Sequence, residues 1–372
     1  MKICIDTRWL LKKNSGVGIY ISELTNGFAN IDIPFDLYSI GEATNNEKIK
    51  NIYLSGFKKR FFQGLWKAFS FPKMEILTGP MDLVHFTNLT HIPNNAKKNI
   101  LTIHDLSYEI IPHTIEPKNL AFLKKTAPLS IKKADHIITV SNSTKEDLMA
   151  IYKYPESKIT VIHNGVSHDS KENVSLALKA KTQRKYDLRK DYLLSVSTLE
   201  PRKDYSTLIK AYYRLNKDIK NKYDLVICGG DGWQGERNKL SNLISKLSLK
   251  DNVKLLGFVD TNDLPALYSL ASLYIHTSLY EGFGLPLTEA MSFSIPIIST
   301  KSSCHEEILK DAAIYFDTSN DEELAYKIEL LLLDNARADK LKEASKNRIK
   351  NFSWQKTAEQ TFEVYKNTML GY

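Results

Sequence analysis

SLYIHTSLYEGFGLPLTEAMSFSIPIIST, residues 272–300, is the stretch on which the fold turns. It opens on an apolar run (272–278), passes a glycine turn, enters a helical pattern over 286–293 and closes on a second apolar run, 295–300. Two strand-length apolar runs joined by one helix make a βαβ unit, which demands parallel strands with helices on the sheet faces. Inside the turn Glu281 and Glu289 stand eight residues apart, with Gly282, Phe283, Gly284 and Leu285 leading into the helix start. Bare amides at a helix start suit an anion. Two acids beside such a cradle repel the anion if both face it, so their tasks must differ.

The same alternation runs outward in both directions. Strands are expected at 192–197, 223–228, 252–258, 272–278 and 295–300, with helices at 204–217, 235–247, 262–271, 286–293, 320–333 and 336–350. Earlier strands fall at 2–5, 82–86, 99–104, 136–140 and 158–162, with helices at 17–29, 117–134 and 142–151. Residues 167–190 are polar and lack a strong period, so a linker with a short helix is expected there. Two blocks of βα units predict an α/β protein of two doubly wound, Rossmann-like domains, with ligands at the carboxyl ends of the strands in a central cleft. The expected boundaries are 1–170, a linker over 171–190, 191–352, and a C-terminal helix within 353–372.

Length and composition agree with two ordinary globular domains: 372 residues, 42% hydrophobic and 25% charged. No apolar run approaches the ~18 residues of a membrane span. Asp6 and Arg8 interrupt any secretory signal, so a cytoplasmic setting is expected. Cys4, Cys228 and Cys304 are scattered and read as buried small hydrophobes, and the sequons at Asn88, Asn142, Asn173 and Asn351 as chance matches. The net charge of +8 is uneven: residues 1–185 hold 26 Lys+Arg against 17 Asp+Glu, and residues 186–372 hold 25 against 26. The first half therefore favours an anionic partner. No nucleic-acid-binding motif is present. Segment 57–69, FKKRFFQGLWKAF, has the basic and aromatic composition of a helix lying on an anionic membrane surface, and equally that of a helix packed on its own domain.

Several motifs compete for the chemistry. Gly230-Asp231-Gly232-Trp233-Gln234-Gly235 matches a dinucleotide fingerprint, with Asp251 about 20 residues on. Asp251, however, precedes the next strand instead of ending it, and Trp233 obstructs a pyrophosphate, so a turn is expected. In STLEPRKDYSTL (197–208), Arg202 and Lys203 follow a strand and precede a helix capped by Asp204. Cations oppose the dipole at that end, so another reason must place them there, and a diphosphate suits them. No Asp-x-Asp pair offers a Mg²⁺ site, and His85, His91, His104 and His113 lack metal spacing. His104 and Asp105 end a strand in LTIHDLSYE, where His104 either meets a substrate hydroxyl or is structural. Gly16 and Gly18 in NSGVGIY allow close approach of backbone to an anion.

Taken in order, NSGVGIY, TIHDLSYE, VSNSTKEDL, VIHNGV, LEPRKDYSTLIKAY, VKLLGFV and SLYEGFGLPLTEAMSFSIPII span nearly the whole chain. The chain resembles the GT-B retaining glycosyltransferases of the family-4 type, whose signature is E-x₇-E, here Glu281 and Glu289. The resemblance implies that Glu289 holds the ribose hydroxyls of a nucleotide sugar. It gives Glu281 and the amides of Phe283, Gly284 and Leu285 to the sugar and phosphates, and Arg202 and Lys203 to the diphosphate. His104 lies at the sugar, with Asp105 beside it, Gly16 and Gly18 lie at the phosphates, and Phe258 of VKLLGFV joins the donor site. No metal or other cofactor is implied, and the last helix returns to the first domain. Two departures stand out. Thr198 occupies a position where many relatives carry an additional Arg, and Ser303-Cys304-His305-Glu306-Glu307 lacks the Pro and Gly of the common pattern.

The TLEPRKD version looks most like a mannosyl-transferring branch. The expected activity is retaining transfer of a hexose, with GDP-mannose the first donor candidate, to a glycan acceptor, lipid-linked at the inner membrane face or soluble. Other nucleotide-sugar donors, a non-hydrolysing epimerase, a silent scaffold and a dehydrogenase are the alternatives. For a covalent intermediate Asp105 is the only first-block nucleophile candidate; front-face displacement is favoured.

Overall fold

A computed structural model describes residues 1–10, 15–31, 35–54, 61–62, 64–66, 71–166, 174–233 and 235–371. The chain divides into two compact units: unit 1 is Met1–Ile110, Pro117–Gly165 and Ser353–Tyr372, and unit 2 is Ile111–Glu116 and Val166–Phe352.

Among its described residues unit 1 holds seven strands: β1 (Lys2–Thr7), β2 (Asp36–Gly41), β3 (Ile49–Tyr53), β4 (Leu83–Phe86), β5 (Lys98–Ile103), β6 (His136–Thr139) and β7 (Ile159–Val161). They form one parallel sheet in the order β3-β2-β1-β4-β5-β6-β7. β4 is buried at every position and β1 at all but its first, as a sheet covered on both faces requires. The order reverses between β1 and β4, so their carboxyl ends flank a topological switch point.

The C-terminal helix Trp354–Leu370 packs within unit 1 against the helix Gly16–Gly27. Contact is close because Gly27 lacks a Cβ, which would stand 2.6 Å from the Cβ of Ala358. A buried polar chain ties the helix to the sheet. Tyr365 Oη lies 2.7 Å from His85 Nδ1, His85 Nε2 lies 2.7 Å from Thr102 Oγ1, and Tyr20 Oη lies 3.1 Å from the same hydroxyl. Burial holds His85 neutral, its pKa pushed down to about 3. At the point where the helix begins, a Cβ on Gly165 would sit 2.1 Å from the Trp354 amide nitrogen.

Unit 2 repeats the architecture with β8 (Asp191–Val196), β9 (Tyr223–Cys228), β10 (Val253–Gly257), β11 (Leu273–His276), β12 (Ile297–Thr300) and β13 (Ala313–Phe316). All pair in parallel in the order β10-β9-β8-β11-β12-β13, so β8 and β11 flank its switch point. The helix Tyr205–Arg214 buries Tyr205, Leu208, Ile209 and Tyr212, the spacing of one helical face, into a core shared with Leu225, Ile275 and Phe316.

The two parallel sheets match the expected fold class. Three strands, β2, β3 and β13, were not foreseen. β3 carries the burial of an edge strand, exposed at Lys50, Asn51 and Tyr53, so it has no apolar run to announce it. Residues expected as a linker contain the helix Leu176–Lys185, which packs on the helix Leu264–Leu270 and belongs to unit 2. Asp263 anchors it, accepting from Lys185 Nζ at 2.5 Å and Tyr186 Oη at 3.0 Å.

Of segment 57–69, Lys58, Lys59, Arg60, Lys67 and Phe69 lie outside the described residues. Trp66 is buried, donating from Nε1 to the Pro72 carbonyl at 2.6 Å, with the Arg8 guanidinium 5.9 Å from its ring centre. At least this aromatic therefore packs on its own domain, while Phe61 is half exposed. No helix among the described residues is long and apolar enough to cross a membrane.

Candidate active site

In unit 2 the chain leaves β8 through 197–200 and makes a single turn, Pro201–Lys203, before Asp204 starts the next helix. Asp204 takes a left-handed backbone (φ 47°) and caps that helix, accepting from the Thr207 hydroxyl at 2.7 Å. Arg202 and Lys203 are thereby fixed at the switch point. β11 delivers Glu281 to the same place, because Leu279 N donates to the Arg202 carbonyl at 2.8 Å and the Thr277 hydroxyl to the Lys203 carbonyl at 2.6 Å.

The buried Lys203 and Glu281 form one cluster with the part-buried Arg202. Arg202 Nη1 lies 2.9 Å from Glu281 Oε2, and its Nε lies 2.9 Å from Glu200 Oε2. Lys203 Nζ pairs with Glu281 Oε1, which also accepts from Ser278 Oγ at 2.8 Å. Glu281 N donates to Ser303 Oγ at 3.0 Å, which fixes the backbone beneath the carboxylate. Burial by itself raises the Glu281 pKa, but Lys203 and Arg202 outweigh it and hold the carboxyl well below the ordinary carboxylate range. Burial, then Arg202, lower the Lys203 pKa against the pull of Glu281. Arg202 and Lys203, which the resemblance gives to the diphosphate, both sit on Glu281, since a buried Lys203 beside a part-buried Arg202 needs a counter-charge.

Glu289 lives in a different setting. It sits on the helix Leu285–Ser292, and Tyr268 Oη donates to its Oε2 at 2.7 Å. Burial raises its pKa, with the tyrosine bond opposing. Tyr268 packs on Tyr274 (ring centres 5.8 Å), and Tyr274 stacks on His276 (6.2 Å), whose Nε2 is 3.5 Å from Glu281 Oε1. An aromatic ladder behind the turn thus connects the two glutamates. Sequence reasoning passed over Tyr268, Tyr274 and His276; the i, i+2 placement of Tyr274 and His276 on one strand face was the available signal.

Gly284 caps the same helix with φ 79°. Phe283 is buried, its ring 5.7 Å from that of Phe352. Phe258, just beyond β10, is 62% exposed. The fingerprint-like turn is folded shut against 197–200. Gly232 N and Trp233 N both donate to the Leu199 carbonyl (3.3 and 3.1 Å), and a Cβ on Gly229 would lie 1.7 Å from the Ser197 carbonyl oxygen. Those amides are spent on local structure, and Asp251 stands ahead of β10 at its amino end.

In unit 1, His104 follows β5 and its Nε2 lies 2.9 Å from the Thr87 carbonyl, so Nε2 carries the proton and Nδ1 is the acceptor. Its ring meets Tyr20 edge-on at 4.8 Å, and burial lowers its pKa. Asp105 Oδ1 accepts from Ser107 N (3.0 Å) and Ser107 Oγ (2.7 Å), bonds that turn the chain and engage this oxygen locally. Gly16 and Gly18 form the first turn of their helix. Gly18 N is committed to the Ser15 hydroxyl at 3.1 Å, while Gly16 is exposed. Among the described residues no group of three His, Cys, Asp or Glu is placed to hold a metal ion. All three cysteines are buried and unbridged.

Residues 178–348 match the family profile "Glycosyl transferases group 1", and residues 14–170 match "Glycosyltransferase Family 4". The chain is 28% identical over 277 residues to O-antigen chain mannosyltransferase B of Escherichia coli, covering 74% of this chain and 72% of that protein. It is 30% identical over 228 residues to O-antigen chain mannosyltransferase RfbU of Salmonella typhimurium, covering 60% and 58%. Among solved structures, Anabaena HepE in complex with UDP and glucose superposes with a TM-score of 0.73 at 18% identity, covering 99% of this chain and all of that one.

Proposed function

Because the chain belongs to the group 1, family 4 glycosyltransferases, we propose that it transfers a hexose, mannose from GDP-mannose first, to a glycan acceptor with retention of configuration. The observation that carries the proposal is the convergence of Arg202, Lys203 and Glu281 at the β8/β11 switch point. A leaving nucleoside diphosphate gathers negative charge, and the buried Lys203 with the part-buried Arg202, beyond the carboxyl end of β8, supplies the stabilisation. Glu289, backed by Tyr268, offers an acceptor for the ribose hydroxyls. His104 Nδ1 offers one for a hydroxyl of the sugar.

The proposed chemistry is front-face displacement. The anomeric carbon–oxygen bond to the diphosphate breaks while the acceptor oxygen bonds the same face, and the acceptor's proton passes to the departing phosphate. The engagement of Asp105 with Ser107 favours this course over a covalent intermediate on that carboxylate. The mannosyl assignment rests on the names of the two enterobacterial relatives. UDP- and dTDP-sugars are the second reading, and the UDP complex of the structural neighbour bears on the first of these. A lipid-linked acceptor at the inner face of the membrane accords with the basic first half.

Thermal-shift titration with GDP-, UDP-, ADP- and dTDP-sugars tests donor and class together: one family of nucleotides should stabilise the protein. Lys203→Ala should lower turnover by two or more orders of magnitude, on the scale of losing one charge-stabilising group. Near wild-type turnover would remove Lys203 from the mechanism.

A further inference from the structure

His276 is fully buried on β11, and its Nε2 has no hydrogen-bond partner among the described residues. A buried ring nitrogen left unpaired is costly, and such exceptions call for a reason. Here the nitrogen is 3.5 Å from Glu281 Oε1, just beyond bonding range. A carboxylate only accepts, so the tautomer with its proton on Nε2 is the one that fits, and Nδ1 then faces the Tyr274 hydroxyl at 3.5 Å. Burial keeps the ring neutral. His305 braces it from behind, its ring 5.0 Å away at 80°. Its Nδ1 is 3.0 Å from the Thr300 carbonyl, which fixes it as well.

The occupied side of Glu281 explains the vacancy. Oε1 already receives Lys203 Nζ and Ser278 Oγ, and Oε2 receives Arg202. If Lys203 turns to the diphosphate of a donor, Oε1 loses its cation in a place where an unpaired charge is expensive.

Resting on the function proposed above, we infer that His276 is a positioning residue that takes over Glu281 Oε1 when Lys203 leaves it for the diphosphate. A movement of a few tenths of an ångström brings the 3.5 Å separation into hydrogen-bond range. The Lys203–Glu281 ion pair is then one of two arrangements, and the His276 N–H is the reserve that lets Lys203 change partners. His276 touches neither sugar nor phosphate in this scheme; it acts through Glu281.

The test separates this role from mere packing. GDP, UDP, ADP and dTDP, with their monophosphates, are titrated against the full-length wild type and His276→Leu, His276→Gln and His276→Asn. Gln can present an N–H near the position of Nε2, whereas Asn reaches only as far as Nδ1. The expected result is an about tenfold weaker diphosphate affinity in His276→Leu and His276→Asn, the scale of one charge-assisted hydrogen bond. His276→Gln recovers it, and the monophosphate, which lacks the β-phosphate, binds all four proteins alike. Equal weakening for mono- and diphosphates overturns the handover and leaves a structural histidine. So does identical behaviour of the Gln and Asn variants, or wild-type affinity in His276→Leu. Melting curves of each variant show that it is folded. A wild-type protein that binds none of the four diphosphates overturns the donor assignment itself, a result distinct from any difference among the variants.

Discussion

Glu281 and Glu289 carry the same carboxyl into opposite electrostatic settings, and their pH behaviour should separate. Lys203 and Arg202 depress the Glu281 pKa in the folded state. Its stabilising contribution is therefore complete above the unfolded value of about 4.3 and is lost as pH falls through the lower folded value. Glu281→Gln takes the counter-charge from the buried Lys203, while Arg202 keeps Glu200, and should cost about 3 kcal/mol in urea unfolding. Glu289 is the reverse case: its folded pKa is raised, so its ionisation works against folding as pH rises through that value. In the proposed role of Glu289 toward the ribose hydroxyls, the ionised carboxylate is the stronger acceptor. Nucleotide affinity, followed by calorimetric titration, should decline on acidification at a pH above the usual carboxylate range. Tyr268→Phe removes the bond that lowers the Glu289 pKa and should shift that decline to higher pH. The pair Glu281 and Glu289 was legible in the sequence because a turn and a helix start advertise themselves. The ion pairs of Glu281 were not, because Arg202 and Lys203 come from a different βα unit, and which unit is the neighbour depends on strand order.

Elements with an internal signature were legible, and those defined by their neighbours were not. The helix Tyr205–Arg214 shows its buried face in its own spacing. β13, AIYF, is four residues at a sheet edge, and β2 begins on Asp36 and ends on Gly41; their identity as strands comes from pairing with β12 and β1. Turn geometry adds its own constraint. Gly284 holds φ 79° and faces Leu287, whose Cδ1 would lie 2.8 Å from an added Cβ. Gly284→Ala should therefore cost about 1–2 kcal/mol and weaken nucleotide binding with it, as denaturant melts and titration would show. Ending the chain after Phe352 removes the helix that covers His85 and Phe28. Hydrogen exchange should then report loss of protection in unit 1 with unit 2 little changed.

Two sheets built on the same winding principle place two switch points in one chain, and the sequence announced the repetition through its alternating runs. The assignment of the final helix to a unit 187 residues behind it in the chain, from Gly165 to Phe352, is a matter of packing that no local pattern records. Gly165 and Trp354 touch so closely that only a hydrogen fits between them as a side chain. The chain that leaves unit 1 after Gly165 and the chain that returns at Ser353 therefore lie side by side. A stretch whose ends adjoin in this way, here residues 166–352, behaves as an insertion whose host needs no re-threading when the stretch is replaced. The same contact tolerates no methyl group: Gly165→Ala should lift the start of the last helix and expose it to limited proteolysis.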